Sequence, residues 1–557
     1  MKRIRLACFV AAAMGCARLS LQADVRLPAI FGDHMVLQQE AKVPVWGTAD
    51  AGEKVEVTVG NHTAGTTAGN DGSWRVELPA FPNGSPPSTM TVKGKNSVTF
   101  QDVLIGDVWL CSGQSNMQLP LAHTQNAAKE IPKANDPQIR LYVVPQKTAL
   151  IPQTDQAGSW QVCTPETAQN FSGVGYFFGR ELRAKLNRPI ALIGSYYGGT
   201  RIQAWSSLSS LQQDPPFKRE IATYQKNVAD FPKLNDGYAE RQTAFVTALR
   251  DWQRARDDKT KAYFADVQKA KAAGQPAPPP LSFADDPPAP KAPEPPDDGP
   301  NGPCNLFNAM IAPIIPYAIK GVAWYQGESN SNEPFAYREL LKRMIIDWRA
   351  RWDEGDLPFL LVQLPTTGAN KEWDFGAFIA ESQAKALSLP NTGMAVTLDI
   401  GREDLHPKDK IDVGRRLALA ARHVAYGEDL VFSGPTYKSM KIEGGSIRLT
   451  FDHVGTGLTT GGPPWCPENV HPAATDKLLG FTIAGEDKNF FPADAKIEGD
   501  TVVVSTPQVP SPVAVRYAWI TASAWHKAPY TFDFNLYNKD GLPAALFRTD
   551  DWTARWQ

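Results

Sequence analysis

The middle of this chain alternates short apolar runs with stretches of helical periodicity, and this alternation restricts the possible fold more than any other feature. Strands separated by helices pair in parallel, and a parallel sheet is normally covered by helices on both faces. The apolar runs predict strands at 103–110, 140–144, 190–193, 321–325, 359–363 and 395–400. The clearest helical patterns lie at 175–186, 337–352 and 377–387. We therefore expect an α/β fold with its ligand site at the carboxyl ends of the strands.

Both flanks of this region show the pattern of β-strands alone. Apolar and polar side chains alternate at 54–59, 74–78 and 89–92, between turn-rich segments, as in a small β-sandwich. Strand-like runs return at 447–451, 501–505 and 513–519. Because 557 residues are too many for one hydrophobic core, we expect accessory N-terminal and C-terminal β domains beside the α/β domain.

The sequence divides accordingly into four parts. These are a leader at 1–23, an N-terminal β-sandwich at 24–102, the α/β domain at 103–427 and a C-terminal β region at 428–557. Residues 206–303 interrupt the α/β domain. The first part of this insertion is polar and helical, and its second part is dominated by Pro, Ala and Asp, which cannot bury a core. We expect the insertion to lie on the surface.

The leader has the features of a secretory signal peptide: a basic start at 2–5, an apolar stretch at 6–14 and a cleavage site after Ala23. We therefore expect an exported protein, periplasmic or extracellular. The formal net charge of −2 gives no reason to expect nucleic acid or an anionic membrane as a partner. The cysteines that remain are Cys111, Cys163, Cys304 and Cys466, and the sequence leaves their pairing open, as it does the oligomeric state.

Ser115 follows the first predicted strand of the α/β domain, after the small residues Ser112 and Gly113. A serine on a tight turn at the carboxyl end of a strand is exposed above the sheet and can attack an acyl carbon. Ser115 could instead cap a following helix. The turn also departs from the Gly-x-Ser-x-Gly pattern of the α/β-hydrolases, because Met117 stands where the second glycine would be.

Three more polar motifs follow other predicted strands. Gly198 and Gly199 could bring backbone N–H groups to a developing oxyanion, or could simply form a tight turn. Gln326 offers a side-chain N–H for the same purpose. His406 follows the last strand of the α/β domain, and a neutral imidazole near a serine is the required general base. Four such motifs at the strand ends of one sheet predict a nucleophilic hydrolase.

These motifs resemble those of the SGNH-type carbohydrate esterases, and within them the sialate O-acetylesterase branch. The matching stretches are Trp-Leu-Cys-Ser-Gly-Gln-Ser-Asn-Met at 109–117, Gly-Gly-Thr-x-Ile-x-Ala-Trp at 198–205, Trp-Tyr-Gln-Gly-Glu-Ser-Asn at 324–330, Asp-Leu-His-Pro at 404–407, and the pair 535–538 and 547–550. The resemblance covers essentially the whole chain after the leader. It implies an α/β fold with a three-layer, SGNH-hydrolase-like parallel sheet, and a serine esterase that removes acetyl groups from carbohydrates.

The resemblance also assigns roles. Ser115 would be the nucleophile and His406 the base. The Ser115 N–H, an N–H of Gly199 or Gly198 and the Gln326 side chain would form the oxyanion hole. Asp404 is favoured as the carboxylate that orients His406, with Glu403 or a backbone carbonyl as the alternatives.

Arg201, Asn116 and Glu328 are the candidates for contacting substrate, and Glu328, a conceivable general acid, is interpreted as a residue that holds its loop. Arg201 could meet a substrate carboxylate or could be ion-paired within the protein. We expect no cofactor and no metal, since the pair Cys466 and His471 has too few companions for a metal site.

The leading substrate is 9-O-acetylated sialic acid, and acetylated xylan or another polysaccharide is the alternative. A non-catalytic carbohydrate-binding protein is the competing interpretation from another class. It would be expected to have lost at least one residue of the site.

Overall fold

The computed structural model describes residues 24–212, 217–364, 376–400, 405–461, 476–519 and 534–552. The predicted leader lies outside these ranges. The strands are β1 Val36–Gln38, β2 Val43–Thr48, β3 Lys54–Val59, β4 His62–Thr67, β5 Ser73–Leu78, β6 Ser88–Lys93, β7 Ser97–Gly113, β8 Asp136–Val143, β9 Trp160–Cys163, β10 Ile190–Tyr196, β11 Gly321–Tyr325, β12 Phe359–Gln363, β13 Thr392–Val396, β14 Thr436–Glu443, β15 Ser446–Asp452, β16 Leu458–Thr460, β17 Phe481–Ala484, β18 Phe490–Pro492, β19 Asp494–Glu498, β20 Thr501–Ser505, β21 Ala514–Tyr517, β22 Leu536–Asn538 and β23 Phe547–Arg548.

The α-helices are α1 Ser115–Gln118, α2 Ala127–Glu130, α3 Pro165–Ala168, α4 Gly173–Leu186, α5 Ile202–Trp205, α6 Leu208–Gln212, α7 Lys218–Asn235, α8 Tyr238–Ala272, α9 Pro334–Trp352, α10 Gly376–Lys385 and α11 Lys410–Val424. The protein is therefore a mixed α/β structure, with a large mixed sheet and additional smaller β-sheets.

The large sheet has the strand order β13-β12-β11-β7-β10-β8-β9 along its main path. From β13 to β8 every neighbouring pair is parallel, and only the edge pair β8–β9 on this path is antiparallel. The central strands β10, β11 and β12 are buried at every position, because helices and neighbouring segments cover both of their faces. The prediction of a parallel sheet for this region is confirmed.

Strand β7 is much longer than the predicted 103–110 and joins the N-terminal β region to this sheet. Its first half pairs with β6, which pairs with β3, and its second half pairs with β10 and β11. Its burial changes in step, from alternating exposed and half-buried positions to continuous burial from Val103 onward. In the N-terminal region β2 pairs with β5 and β3 pairs with β4. The β-sandwich arrangement of these strands stays a prediction.

Helices α4 and α11 pack against each other, and so do α9 and α10. Helix α11 was not predicted from the sequence, since its buried face consists largely of small and charged residues rather than large apolar ones. Gly414 allows the close approach of α4: a Cβ there would lie 2.6 Å from Phe177 Cβ and 2.7 Å from the Phe178 nitrogen. Helix α11 follows His406 in the chain, and its close contact with α4 therefore depends on a glycine.

The insertion at 206–303 contains α7 and the long polar helix α8, and its proline-rich part returns along α8. Trp252 Nε1 donates to the Pro287 carbonyl at 2.8 Å, and the Arg256 guanidinium lies 3.8 Å from the centre of the Phe283 ring. Lys259 forms an ion pair with Asp286. The proline-rich segment of the insertion is thus held against α8 by side chains of that helix.

The C-terminal β region comprises the sheets β14-β15-β20-β19 and β18-β17-β21-β23 and the pair β16–β22. Cys111, Cys163 and Cys304 are free and buried, and burial raises the pKa of each thiol to about 12. Cys466 lies outside the described residues. None of the described helices is both long and apolar enough to cross a lipid bilayer.

Candidate active site

Three of the predicted motifs leave the sheet at the same level. Gly113, the last residue of β7, is in register with Tyr196 at the end of β10 and Tyr325 at the end of β11. Gly113 has a φ of 136°, and a Cβ there would lie 2.1 Å from the Tyr325 carbonyl oxygen. Only glycine fits this turn, which places Ser115 two residues beyond the sheet.

The structure brings Ser115 and His406 into direct contact. Ser115 is the first residue of α1 and is half-buried, as is His406. The Ser115 Oγ and His406 Nε2 atoms are 2.8 Å apart, which is a hydrogen-bonding distance. With the Nδ1–H tautomer, Nε2 accepts the hydroxyl proton, which is the arrangement that a serine nucleophile and its base require. Asp404 and Glu403, the candidates for orienting His406, lie outside the described residues.

The turn after β10 lies beside this pair. The Gly198 N–H donates to Gln118 Oε1 at 2.8 Å. The N–H groups of Ser115 and Gly199 donate to no acceptor among the described residues, and Gly199 is exposed with a φ of 72°. Gly199 is therefore the better placed of the two glycines to donate to an oxyanion. Gln118 was not singled out in the sequence, because its role depends on a contact across 80 positions of the chain.

Gln326 follows β11 and is completely buried. Its Nε2 donates to the Thr200 carbonyl at 3.1 Å and to Asn330 Oδ1 at 2.9 Å. Both N–H bonds of the carboxamide therefore have acceptors within the protein. Its role as an oxyanion donor stays a prediction, and it requires one of these two hydrogen bonds to give way when the oxyanion forms.

Asn116 is buried rather than open to a ligand, with 1% of its surface exposed. Its Nδ2 donates to Glu328 Oε1 at 2.5 Å and to the Leu405 carbonyl at 3.0 Å, and its Oδ1 accepts from Lys410 Nζ at 2.6 Å. Burial raises the pKa of Glu328, although the hydrogen bond from Asn116 and the charge of Lys410 act in the opposite direction. Asn116 and Glu328 hold loops together in this structure.

Arg201 lies three residues after Gly198 and is one-third exposed. Its guanidinium pairs with Glu333, which also accepts from Gln203 Nε2 at 3.0 Å. Its backbone N–H donates to Asn301 Oδ1 at 2.9 Å, and Asn301 Nδ2 donates to the Gly199 carbonyl at 3.1 Å. The end of the insertion is thereby fixed to the turn that carries Gly199.

A buried ion pair anchors the segment before His406. Arg416 of α11 donates to both carboxylate oxygens of Asp399 at 2.7 Å, and the Tyr537 hydroxyl donates to Asp399 Oδ2 at 2.9 Å. Burial alone would lower the pKa of Arg416, but the charge of Asp399 raises it overall. The C-terminal β region therefore supports the chain that leads to His406.

A metal site finds no support in the part of the chain that the structure describes, which contains no group of three or more His, Cys, Asp or Glu placed to hold an ion. Cys466 and His471, the pair considered in the sequence, lie outside it. The structure does contain a serine in contact with a histidine. Beside them lie two backbone N–H groups, of Ser115 and Gly199, that have no acceptor among the described residues.

Known proteins are similar to this chain in sequence and in fold. The family described as "Carbohydrate esterase, sialic acid-specific acetylesterase" matches residues 105–235 and 302–423, leaving out most of the insertion. The sialate O-acetylesterase of Mus musculus is 30% identical over 482 residues, covering 78% of this chain and 81% of that protein. The Homo sapiens sialate O-acetylesterase is 30% identical over 470 residues, 76% of each chain.

The solved structure of a carbohydrate acetylesterase from Xanthomonas citri is 35% identical and has a TM-score of 0.73, covering 95% of this chain and all of that one. Fold and sequence together define a carbohydrate esterase. The chain belongs to the sialate O-acetylesterase family of carboxylic ester hydrolases, and the resemblance inferred from its motifs is confirmed.

Proposed function

We propose that this protein is a serine esterase that hydrolyses O-acetyl groups of carbohydrates through an acetyl-enzyme on Ser115. The observation that carries the proposal is the 2.8 Å contact between Ser115 Oγ and His406 Nε2. Ser115 Oγ attacks the acetyl carbon while His406 takes its proton, and His406 then protonates the leaving sugar oxygen. Water, deprotonated by the same imidazole, then attacks the acetyl carbon, and His406 returns the proton to Ser115 Oγ as the bond between Oγ and the acetyl carbon breaks and acetate leaves.

The negative charge of each tetrahedral intermediate needs hydrogen-bond donors. The N–H groups of Ser115 and Gly199 are proposed for this role because they have no acceptor among the described residues. Gln326 is proposed as the third donor. Asp404 is proposed to hold the His406 imidazole in its productive tautomer, with Glu403 as the alternative.

We propose 9-O-acetylated sialic acid as the leading substrate, since the curated relatives are named sialate O-acetylesterases. Such a substrate carries a carboxylate, and Arg201 is the cation proposed to receive it. Because Glu333 already contacts this guanidinium, the substrate carboxylate would have to share or replace that ion pair. Acetylated xylan or another polysaccharide, which needs no such cation, is therefore retained as the alternative.

A non-catalytic carbohydrate-binding protein is the alternative from another class. It is disfavoured because Ser115 and His406 are not only present but hydrogen-bonded. We also propose that the protein is exported to the periplasm or beyond, on the pattern of residues 1–23, and that its α/β domain has the three-layer SGNH-like arrangement.

The proposal is tested by measuring acetate release from 9-O-acetylated sialic acid and from acetylated xylan, with Ser115→Ala as the control. Serine-dependent release from the sialic acid supports the leading substrate, and Arg201→Met should then raise KM for it but not for xylan. Preferential release from xylan would keep the mechanism and overturn the substrate. Release from neither substrate, nor from other acetylated glycans, would favour the binding-protein alternative.

A further inference from the structure

Lys410 is a completely buried lysine beside the reactive pair, and neither the motifs nor the proposed mechanism assigns it a role. Its Nζ donates to Asn116 Oδ1 at 2.6 Å and lies 5.0 Å from the centre of the Tyr325 ring. Removing an ammonium group from water is costly, so a buried lysine is maintained only where partners compensate for the lost hydration. Here the partners include an amide oxygen and the face of an aromatic ring.

The Asn116 amide is held between opposite charges. Its oxygen faces the Lys410 ammonium, and its nitrogen faces the Glu328 carboxylate at 2.5 Å. The reverse orientation would place NH₂ against the ammonium and oxygen against the carboxylate, so the two charges leave the amide one orientation. In that orientation its second N–H points at the Leu405 carbonyl, 3.0 Å away.

This amide connects the two reacting side chains through the backbone. Asn116 is the residue after Ser115, and Leu405 is the residue before His406. Glu328 belongs to the loop that follows Gln326, so the same cluster also reaches the proposed oxyanion donor. One buried side chain thereby fixes three chain segments that lie far apart in sequence.

We propose that Lys410 is a positioning residue for ester hydrolysis: together with Glu328 it locks the Asn116 amide, and this amide sets the separation of Ser115 Oγ and His406 Nε2. The inference rests on the proposed function, since hydrolysis is the readout. Lys410 does not touch the substrate, and its effect should appear in kcat rather than in KM.

The first test compares Lys410→Met with Lys320→Met on the full-length protein, using 4-nitrophenyl acetate as substrate. Lys320 is a matched control, because its Nζ lies 5.1 Å from the centre of the Tyr426 ring and the residue directly precedes β11, at the opposite end of the sheet. Since misplacing reacting groups by about 1 Å costs about a hundredfold in rate, Lys410→Met should lower kcat about a hundredfold with KM changed less than about threefold. Lys320→Met should leave both constants unchanged. An unchanged kcat for Lys410→Met would overturn the proposal.

The second test remains decisive even if Lys410→Met fails to fold. Asn116→Asp places a carboxylate against Glu328 and should lower kcat by about a hundredfold or more. Adding Glu328→Gln gives the introduced carboxylate a donor in place of that repulsion, and should recover about tenfold of the loss. If the fold-loss in kcat of the double variant equals the product of the losses of the two single variants, the proposal is contradicted.

A third measurement separates this inference from the proposed function. Phosphorylation of Ser115 by a small organophosphate, which displaces the leaving group of the reagent, requires the Ser115–His406 pair but no carbohydrate site. Lys410→Met should slow this labelling about as much as it lowers kcat. If the wild type is labelled at Ser115 but releases acetate from no glycan, the proposed function fails while the role of Lys410 is still tested.

Discussion

The part of strand β7 that pairs with β10 runs from Asp107 to Gly113, and polar side chains at its two ends are used in opposite ways. At the amino-terminal end of its central segment, Asp107 is completely buried and accepts hydrogen bonds from Gln38, Gln39 and Tyr426. Beyond the carboxyl end, Ser115 is half-buried and its hydroxyl contacts the base that would activate it.

The difference shows how one sheet can supply both stability and chemistry. The Asp107 carboxylate is surrounded by donors, with Arg188 3.6 Å away, so its hydrogen bonds stabilise the contact between β1 and the central sheet. At the Ser115 end the hydroxyl contacts His406, and the N–H groups of Ser115 and Gly199 have no acceptor among the described residues. Changes at the two ends should therefore separate activity from stability.

The largest expected effect is at Ser115. Ser115→Ala removes the nucleophile and should lower acetyl-ester turnover at least about a thousandfold, as should His406→Ala. The free energy of unfolding, measured by urea denaturation, should change little, because Ser115 is only half-buried.

Ser112→Ala is the matched control for that experiment. The Ser112 hydroxyl donates to the Ser195 carbonyl at 2.6 Å, inside the sheet. Its loss should cost about 1 kcal/mol of stability and leave kcat intact. Equal activity losses for Ser112→Ala and Ser115→Ala would contradict the assignment of the nucleophile.

Gln326→Ala should have the next largest effect. If its carboxamide donates to the oxyanion, kcat should fall about a hundredfold with KM little changed. Steady-state kinetics and thermal denaturation should be measured on the same preparation. A lower melting temperature with unchanged kcat would show instead that Gln326 serves only the hydrogen bonds to Thr200 and Asn330.

Asp107→Asn tests the other end of the β7 segment that pairs with β10. The substitution removes the charge that four side chains surround and should lower the free energy of unfolding by about 2 kcal/mol, since hydrogen bonds to a charged group contribute about 1.5–3 kcal/mol. Acetyl-ester turnover of the folded variant should equal that of the wild type. A large fall in kcat without loss of stability would show that the two ends are not functionally separate.

The smallest expected effect is a pH dependence at Glu354, which lies at the amino-terminal side of the sheet near Ile319. Burial raises the pKa of Glu354 to about 8. Between its ordinary pKa and about 8, the unfolded chain releases this proton while the folded protein retains it, so the free energy of unfolding falls as pH rises. Glu354→Gln has no carboxyl to ionise and therefore should be more stable than the wild type at pH 8. We expect a difference of only about 1 kcal/mol, because the side chain is partly exposed to solvent.

The gain should shrink towards zero below pH 4.5, where Glu354 is protonated in the folded protein and increasingly protonated in the unfolded chain. Urea denaturation of both proteins across this pH range measures it. A stability difference that is independent of pH would contradict a raised pKa.

Six of the seven strands on the main path of the central sheet were predicted, because each contains a mainly apolar run, whereas β9 was missed. The strands at 321–325 and 359–363 were predicted at their observed bounds. The last strand was predicted at 395–400 but lies at Thr392–Val396, because Asp399 leaves the sheet to pair with Arg416. Helix α11 was missed, since glycine, alanine and charged residues form much of its buried face.

The meeting of Ser115 and His406 was also predictable, because their types are specific and each follows a predicted strand; the roles assigned to them stay predictions. Their supporting partners were not. Lys410 contacts Asn116 across 294 positions, and Glu333 meets Arg201 across 132. No local pattern reports such contacts, because they arise only when the loops of separate strands meet above the sheet.

If hydrolysis passes through an acetyl-enzyme on Ser115, as proposed, this intermediate can be trapped. The wild-type protein should be mixed with an acetylated substrate, quenched in acid within one turnover, digested and examined by mass spectrometry. We expect an acetyl group on Ser115 that forms faster than steady-state turnover and is absent from Ser115→Ala. Steady hydrolysis by Ser115→Ala, or an acetyl group on another residue, would contradict it.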